Sequence, residues 1–181
     1  MVRAKQLSIA FAVVFAFTQT SAILADDEGH RKGHADLSGF GENLTLSSPA
    51  SGTLDVRISK DGDSVDYTLT YEGLPTHVLF AHIHLGRPAI NGGVMVFLCA
   101  NQGGPPAPAA VPPPCPDISG TVTGTLGPAD VIGPAGQGIT AGEFAEFLAA
   151  MRGHASYGNV HTSQFPGGEI RGQLSFHGED D

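Results

Sequence analysis

Two histidines stand two positions apart in the segment FAHIHLG, residues 80–86, which otherwise has the apolar composition of a buried strand. Successive side chains of a strand point to opposite faces, so His82 and His84 leave the same face. Their Cα atoms would lie about 6.6 Å apart, a spacing at which two imidazoles can converge on one ion. Copper and zinc both accept imidazole ligands, but a third ligand must then come from elsewhere in the chain. Alternatively, both rings hydrogen-bond to loop carbonyls and order the segments over the strand.

The segments around these histidines have the alternating pattern of β-strands. In TLDVRIS (53–59) and VDYTLTY (65–71) every second residue is apolar, and the intervening KDGD contains a glycine that can adopt positive φ. This pattern predicts a β-hairpin with one buried, apolar face. Further strands are predicted at residues 77–85, 93–100, 118–126, 157–162 and 169–177.

One helix is predicted near residues 141–152. Thr140 and Glu143 form a T-x-x-E capping box. Apolar residues follow at helical spacing, and their simplest role is core packing: Phe144, Phe147, Leu148 and Met151. Many short strands with a single amphipathic helix predict a mostly β protein, an antiparallel β-sandwich or barrel.

The two cysteines, Cys99 and Cys115, flank most of a proline-rich loop over residues 101–117. In an oxidising compartment they are expected to form a disulfide bond. Two separate thiols or a metal-binding pair are the alternatives.

The N-terminus has the features of a secretory signal peptide. Residues 1–25 contain a basic start, a short apolar stretch and small residues, with possible cleavage after Ala22 or Ala25. An uncleaved anchor is the alternative. We expect a flexible segment at 26–36, a single domain at 37–177 and an acidic tail at 178–181. The protein is therefore predicted to be secreted, either extracellular or periplasmic.

The acidic charge limits the possible partners. The formal net charge is −9, and removal of the signal peptide leaves seven basic residues against 18 acidic ones, or −11. Nucleic acids and anionic membranes require basic patches, so neither is an expected partner. An acidic surface is compatible with solubility and with cation binding. No later segment is predicted to span a membrane, and the sequence identifies no protein partner.

Two segments resemble the CHRD domain, a module named after chordin and common in secreted bacterial proteins. They are AHIHLGRPAINGGVMVFL and RGHASYGNVHTSQFPGGEIRGQL, of which Tyr157, NVHT and GGEIRGQL are the most specific parts. The resemblance covers roughly residues 37–176. It implies an extracytoplasmic β-rich domain and little about activity.

The second of these segments supplies the best candidate for a third ligand, His161. A site of His82, His84 and His161 would suit copper or zinc. Alternatively, His161 braces the turn that follows it, against Glu169 or a backbone group. His30 and His34 are expected to be solvated.

The last strand carries residues with expected structural roles. Alternation places Glu169 and Arg171 on its outward side, where they either form a surface ion pair or Arg171 braces a carboxylate or a loop carbonyl. Gly172 lies on the inward side, where a neighbouring backbone or ring can approach closely.

Three functions remain open. The first is an exported binding module that holds copper or zinc through three histidines. The second is a metal-free structural or interaction module of the cell surface or extracellular matrix. The third is a copper-dependent redox enzyme, because H-x-H is similar to the copper strand of Cu,Zn superoxide dismutase. The chain lacks that enzyme's histidine- and aspartate-rich zinc loop, so an enzyme is the least favoured, and no catalytic residues are assigned.

Overall fold

The structure is a computed structural model that describes residues 31–106 and 109–176. Its described part contains nine β-strands and one α-helix. The strands are β1 (Lys32–Ser38), β2 (Ser51–Ile58), β3 (Val65–Glu72), β4 (Val78–Leu85), β5 (Val94–Ala100), β6 (Gly120–Leu126), β7 (Ser156–Thr162), β8 (Ile170–Gln173) and β9 (Ser175–Phe176), and the helix is α1 (Phe144–Arg152).

All nine strands form one antiparallel sheet in the order β5-β4-β7-β8-β1-β2-β3-β6, with β9 paired to β1. The sheet curls into a nearly closed barrel, which confirms the predicted fold class. Strands β4, β7 and β8 are direct neighbours, although β4 is more than 70 residues from β7 in sequence. This topology brings FAHIHLG alongside the segment that contains NVHT and GGEIRGQL.

A tyrosine links the two end strands of the sheet. Tyr67 on β3 lies opposite Gly124 on β6, and a Cβ at Gly124 would lie 2.6 Å from the tyrosine hydroxyl oxygen. Because Gly124 has no side chain, the Tyr67 ring can cross β6, and its hydroxyl donates a 2.6 Å hydrogen bond to the Leu98 carbonyl on β5. The two end strands of the sheet, β5 and β6, are therefore connected by the Tyr67 side chain and not by a ladder of backbone hydrogen bonds.

The predicted hairpin and disulfide are confirmed. Strands β2 and β3 pair in register from Ser51–Glu72 to Ile58–Val65, and Gly62 in their turn has φ +69°. Cys99 and Cys115 form a disulfide across the proline-rich loop. The Asn101 amide reinforces this closure with 3.0 Å hydrogen bonds to the Cys115 backbone and the Val78 carbonyl.

The helix also packs as predicted, but it begins later. Phe144, Phe147, Leu148 and Met151 are all buried in the core. The Glu143 carboxylate accepts a hydrogen bond from the Thr140 backbone N–H, which is one half of the predicted capping box. Gly142 has φ +86°, which is incompatible with a right-handed helix, and the first helical residue is therefore Phe144.

We predicted a flexible segment over residues 26–36, and this prediction was wrong for residues 32–36, which belong to a strand. Strand β1 begins at Lys32 and pairs with β2 along its whole length. Gly33, Ala35 and Leu37 face the interior, so the apolar side of β1 consists mainly of small residues and its alternation is weak. The predicted signal peptide, residues 26–30 and the acidic tail lie outside the described residues. Within the described ranges, no helix is long and apolar enough to cross a bilayer.

Gly172 provides a direct test of the packing between β8 and β1. A Cβ at this position would overlap the Asp36 carbonyl oxygen, a backbone atom that cannot move independently of its strand. We expect Gly172→Ala to lower the free energy of unfolding by roughly 3 kcal/mol, the upper part of the usual range for overpacking. Urea unfolding monitored by circular dichroism measures the loss.

Gly136→Ala is the matched control for this substitution. Nothing lies within 4 Å of a Cβ at position 136, so its effect should stay within about 0.5 kcal/mol. Equal unfolding midpoints for the two variants would contradict the described approach of β8 to β1.

Candidate metal centre

The outer face of β4 carries both histidines of the H-x-H motif. Ala81 and Ile83 point into the core, and the alternate residues Phe80, His82 and His84 point away from it. The register of β4 with β7 pairs Phe80 with His161, which places His161 on the same face. The topology of the barrel therefore brings together the three histidines that the sequence proposed as ligands.

This outer face is covered by loops, and the histidines are buried although they lie outside the core. Their exposed fractions are 4% for His82, 8% for His84 and 7% for His161. The loop between β4 and β5, residues 86–93, covers the His84 end of the site, where His84 Nδ1 lies 3.0 Å from the Gly92 carbonyl oxygen. The turn after β7 covers the other end, where His161 Nδ1 lies 3.0 Å from the Pro166 carbonyl oxygen.

These two carbonyl contacts determine which ring nitrogen carries the proton. A carbonyl oxygen only accepts, so Nδ1 of His84 and of His161 must be the protonated donor. In a neutral imidazole the other nitrogen then carries a lone pair, and Nε2 of each ring is available as a ligand. Metal-bound histidines commonly donate their second nitrogen to such a group, which fixes the orientation of the ring.

The three histidines each offer a ligand nitrogen, and these nitrogens lie within 4.8 Å of one another. The closest described contact is a 3.4 Å hydrogen bond between His82 Nδ1 and His161 Nε2. Because His161 Nε2 is unprotonated, His82 Nδ1 donates this bond. An ion bound between these two nitrogens would replace it, and the His82 proton would then lie on Nε2. Bonds of 2.0–2.1 Å to a common ion require nitrogen separations of about 3.3–3.6 Å. One pair already meets this requirement, and the other separations, at up to 4.8 Å, exceed it by up to about 1.2 Å.

Two nitrogens in this cluster are buried without a hydrogen-bond partner among the described residues, His82 Nε2 and His84 Nε2. An unsatisfied buried polar atom costs about 1–3 kcal/mol, and native structures contain few of them. Of the two, His84 Nε2 is the nitrogen that the Gly92 contact of Nδ1 leaves unprotonated, so its lone pair is available to a ligand that the protein itself does not supply.

Aromatic rings surround the cluster. Phe80 stacks on His82 and tilts against His161, each at 4.8 Å between ring centroids, and the Phe97 ring meets His82 edge-on at 4.2 Å. On the other side Tyr157 stacks on His84 at 4.8 Å with the ring planes only 5° apart. The three imidazoles therefore lie in a largely apolar environment.

Residues 34–174 match the family model of the CHRD domain. The chain belongs to the CHRD domain family. A comparison with curated proteins finds no match. The matched range contains the three histidines and the Phe80, Phe97 and Tyr157 rings that pack on them, so the cluster lies within this CHRD domain.

Burial keeps the three imidazoles of the CHRD domain neutral. Together with the neighbouring His161 and His84 rings, burial lowers the pKa of His82 to about 2. Burial lowers the pKa of His161 to about 4, although its bond to the Pro166 carbonyl acts in the opposite direction. The pKa of His84 is also lowered, mainly by burial. Protons therefore do not compete with a metal for these nitrogens at neutral pH.

Arg171 and Glu169 are buried, so their predicted exposure on the outward side was wrong. Arg171 is 3% exposed, and it donates hydrogen bonds to the Ile90 carbonyl at 2.9 Å and to the Arg87 carbonyl at 3.3 Å. This arrangement corresponds to the alternative in which Arg171 braces loop carbonyls. Glu169 is fully buried and accepts hydrogen bonds from the hydroxyls of Ser48 and Thr162. Loops cover the outer face of β8, and alternation within the strand does not reveal them.

Tyr157 connects the arginine to the histidine cluster. The Arg171 Cζ atom lies 3.4 Å from the centroid of the Tyr157 ring, whose hydroxyl accepts a 3.2 Å hydrogen bond from the Gly92 N–H. Gly92 is also the residue whose carbonyl orients His84. Arg171, Tyr157 and His84 therefore all contact the 86–93 loop, and they hold it over the site together.

Sequence reasoning missed four residues around this site: Phe80 and Phe97, which pack on the histidines, Asn159 on β7, and Glu42, which is bonded to Asn159. Asn159 lies opposite His82 in the sheet, and its amide donates a 2.6 Å hydrogen bond to the Glu42 carboxylate. Burial raises the pKa of Glu42. Phe80 could have been predicted from strand alternation, because it precedes His82 by two positions and therefore lies on the same face. The other three depend on strand register or on a loop that packs from a distance.

The buried histidines should destabilise the fold in acid. A ring kept neutral in the folded state takes up a proton on unfolding below its ordinary pKa of about 6.5, so the unfolded state binds more protons there. For His161 stability is lost as the pH falls from 6.5 towards about 4, by up to about 1.4 kcal/mol per pH unit. We expect His161→Gln to flatten the decline by roughly that slope in urea titrations over this pH range.

His154→Gln serves as its control, because this histidine is exposed. Its unfolding free energy should decline with the slope of the unmodified protein. Identical slopes for all three proteins would show that His161 is not buried as described.

The role of Arg171 in holding the 86–93 loop over the site can be tested with a substitution that keeps the positive charge. Lysine cannot donate to two carbonyls in the fork geometry of arginine or stack a planar group on Tyr157. We expect Arg171→Lys to lower the free energy of unfolding by roughly 2 kcal/mol, because buried acceptors on the 86–93 loop lose their donors. Arg152→Lys, at the exposed end of α1, is the control and should change the free energy of unfolding little. An equally small loss for both variants would show that Arg171 does not hold the loop.

Proposed function

We propose that this CHRD domain is an exported metal-binding module that holds copper or zinc through His82, His84 and His161. The observation that carries the proposal is the convergence of three buried, neutral imidazoles whose ligand nitrogens lie within 4.8 Å of one another. Two of the rings have their Nδ1 protons engaged by backbone carbonyls, which leaves Nε2 free to bind. Three imidazoles are a ligand set that suits either metal.

The setting of the domain supports export. The first 25 residues have the composition of a signal peptide, and a disulfide such as Cys99–Cys115 persists in oxidising compartments. The acidic net charge of −9 favours the approach of cations over that of anions. Metal storage, delivery or sensing outside the cytoplasm are all compatible with these properties.

The proposal is tested by equilibrium dialysis of the metal-free protein against Cu(II) and against Zn(II). We expect one equivalent to bind in a way that is lost in the His82→Ala/His84→Ala double variant. His34→Ala removes a half-buried histidine outside the cluster and His77→Ala an exposed one, and each should leave that equivalent in place. Unchanged uptake by the double variant would place the metal elsewhere.

A metal-free structural module is the second candidate, and the same hydrogen bonds favour it. His84 and His161 each fix a covering loop through Nδ1, a role that needs no ion. Under this alternative, treating the isolated protein with a chelator does not change its melting temperature. Added copper or zinc does not raise the melting temperature either. Under the metal-binding proposal an ion at 100 times its Kd stabilises the fold by about 2.7 kcal/mol.

A further inference from the structure

We propose that this centre prefers monovalent copper, Cu(I), to Cu(II) and Zn(II), an inference that rests on the three-histidine site proposed above. Its basis is the charge and polarity of the groups around the three imidazoles. Each of the following features penalises a divalent ion more than a monovalent one.

The ligand set itself carries no charge. The only group of metal-ligating side chains that converges within the described residues consists of three histidines, without a carboxylate or a thiolate. A coordinating imidazole is neutral, so a bound ion keeps its full charge inside the protein. The cost of burying a charge rises with its square, and a divalent ion therefore incurs about four times the cost of a monovalent one.

The surroundings offer little compensation for that cost. Phe80, Phe97 and Tyr157 pack directly on the imidazoles, with centroid distances of 4.2–4.8 Å. Zn(II) is normally four-coordinate and takes a water or a carboxylate in its fourth position. Cu(I) is satisfied by two or three nitrogen ligands. An apolar shell around three imidazoles therefore suits the ion that needs no fourth ligand.

The nearest fixed charges do not reverse this preference. The Arg171 guanidinium lies one ring away from His84, on the face of Tyr157, and its positive charge opposes a divalent ion more strongly. Two described acids lie near this part of the sheet, and neither is hydrogen-bonded to an imidazole. Glu42 accepts a hydrogen bond from the Asn159 amide, and the buried Glu169 accepts hydrogen bonds from the Ser48 and Thr162 hydroxyls. Neither carboxylate is therefore a ligand in this arrangement.

The experiment compares three affinities of the same protein. Cu(I) binding is measured anaerobically by competition with bicinchoninate, Cu(II) binding by competition with glycine, and Zn(II) binding by competition with a chromophoric chelator. Each measurement is repeated with the His82→Ala/His84→Ala variant, which measures the binding at other sites so that it can be subtracted. We expect the histidine-dependent Kd for Cu(I) to be at least 100-fold lower than those for Cu(II) and Zn(II).

The possible results separate the two proposals. Histidine-dependent binding in which Cu(II) or Zn(II) equals or exceeds Cu(I) would overturn the preference and leave the three-histidine site standing. Absence of histidine-dependent binding for all three ions would overturn both proposals.

A pair of variants at Phe80 tests the cause of the preference. This half-buried ring contacts both His82 and His161, so Phe80→Glu brings a carboxylate beside the ligand nitrogens. Phe80→Leu removes the ring and adds no charge. We expect the ratio of Cu(II) to Cu(I) affinity to be at least tenfold higher in Phe80→Glu than in Phe80→Leu. Equal ratios would contradict an electrostatic origin.

Discussion

The candidate site depends on hydrogen bonds that fasten the loop of residues 86–93 to the outer face of the barrel. Arg171 holds this loop through two backbone carbonyls, and Gln173 donates a 2.9 Å hydrogen bond to the Gly86 carbonyl. Gly92 contacts Tyr157 through its N–H and His84 through its carbonyl. Without this cover, His84 would be exposed on a sheet surface, as a freely titrating imidazole with no fixed tautomer. The same contacts therefore account for the burial, the neutrality and the orientation of the ring.

The barrel contributes by making strands from distant parts of the chain neighbours. His82 and His161 are 79 residues apart in sequence, yet they lie on adjacent antiparallel strands. Ring nitrogens on such a scaffold are held by the sheet and by carbonyls at the same time, which limits how far they can move. This rigidity has a cost, because two buried nitrogens are left without a partner among the described residues. Local violations of polar satisfaction are expected where a fold is shaped for binding.

Much of the fold could be predicted because its signals are local. The alternation of β2 and β3, the apolar stripe of α1 and the cysteine spacing each specify structure within a short window, and all three are found. Strand β1 was missed because Gly33 and Ala35 give its inner face almost no apolar contrast. The helix start was placed early because Gly142 at positive φ is not distinguishable in sequence from an ordinary helical position.

Only the three histidines of the site could be predicted, from strand alternation and from the family resemblance. Alternation places His82 and His84 on one face, and the CHRD resemblance adds His161. The covering loops are not encoded in either pattern, which is why Glu169 and Arg171 were expected on the surface and are found buried. The aromatic environment is likewise a product of register: Phe97 lies opposite His82 through the pairing of β4 with β5. Residues that determine the electrostatics of the site thus emerge only from the tertiary structure.

The central claim is that three imidazoles share one ion, and anomalous diffraction at the copper edge tests it most directly. Crystals of the copper-loaded protein should show one peak about 2.0–2.2 Å from a ring nitrogen of each of His82, His84 and His161. A peak bound to only one of these histidines, or located at another part of the surface, would contradict the account.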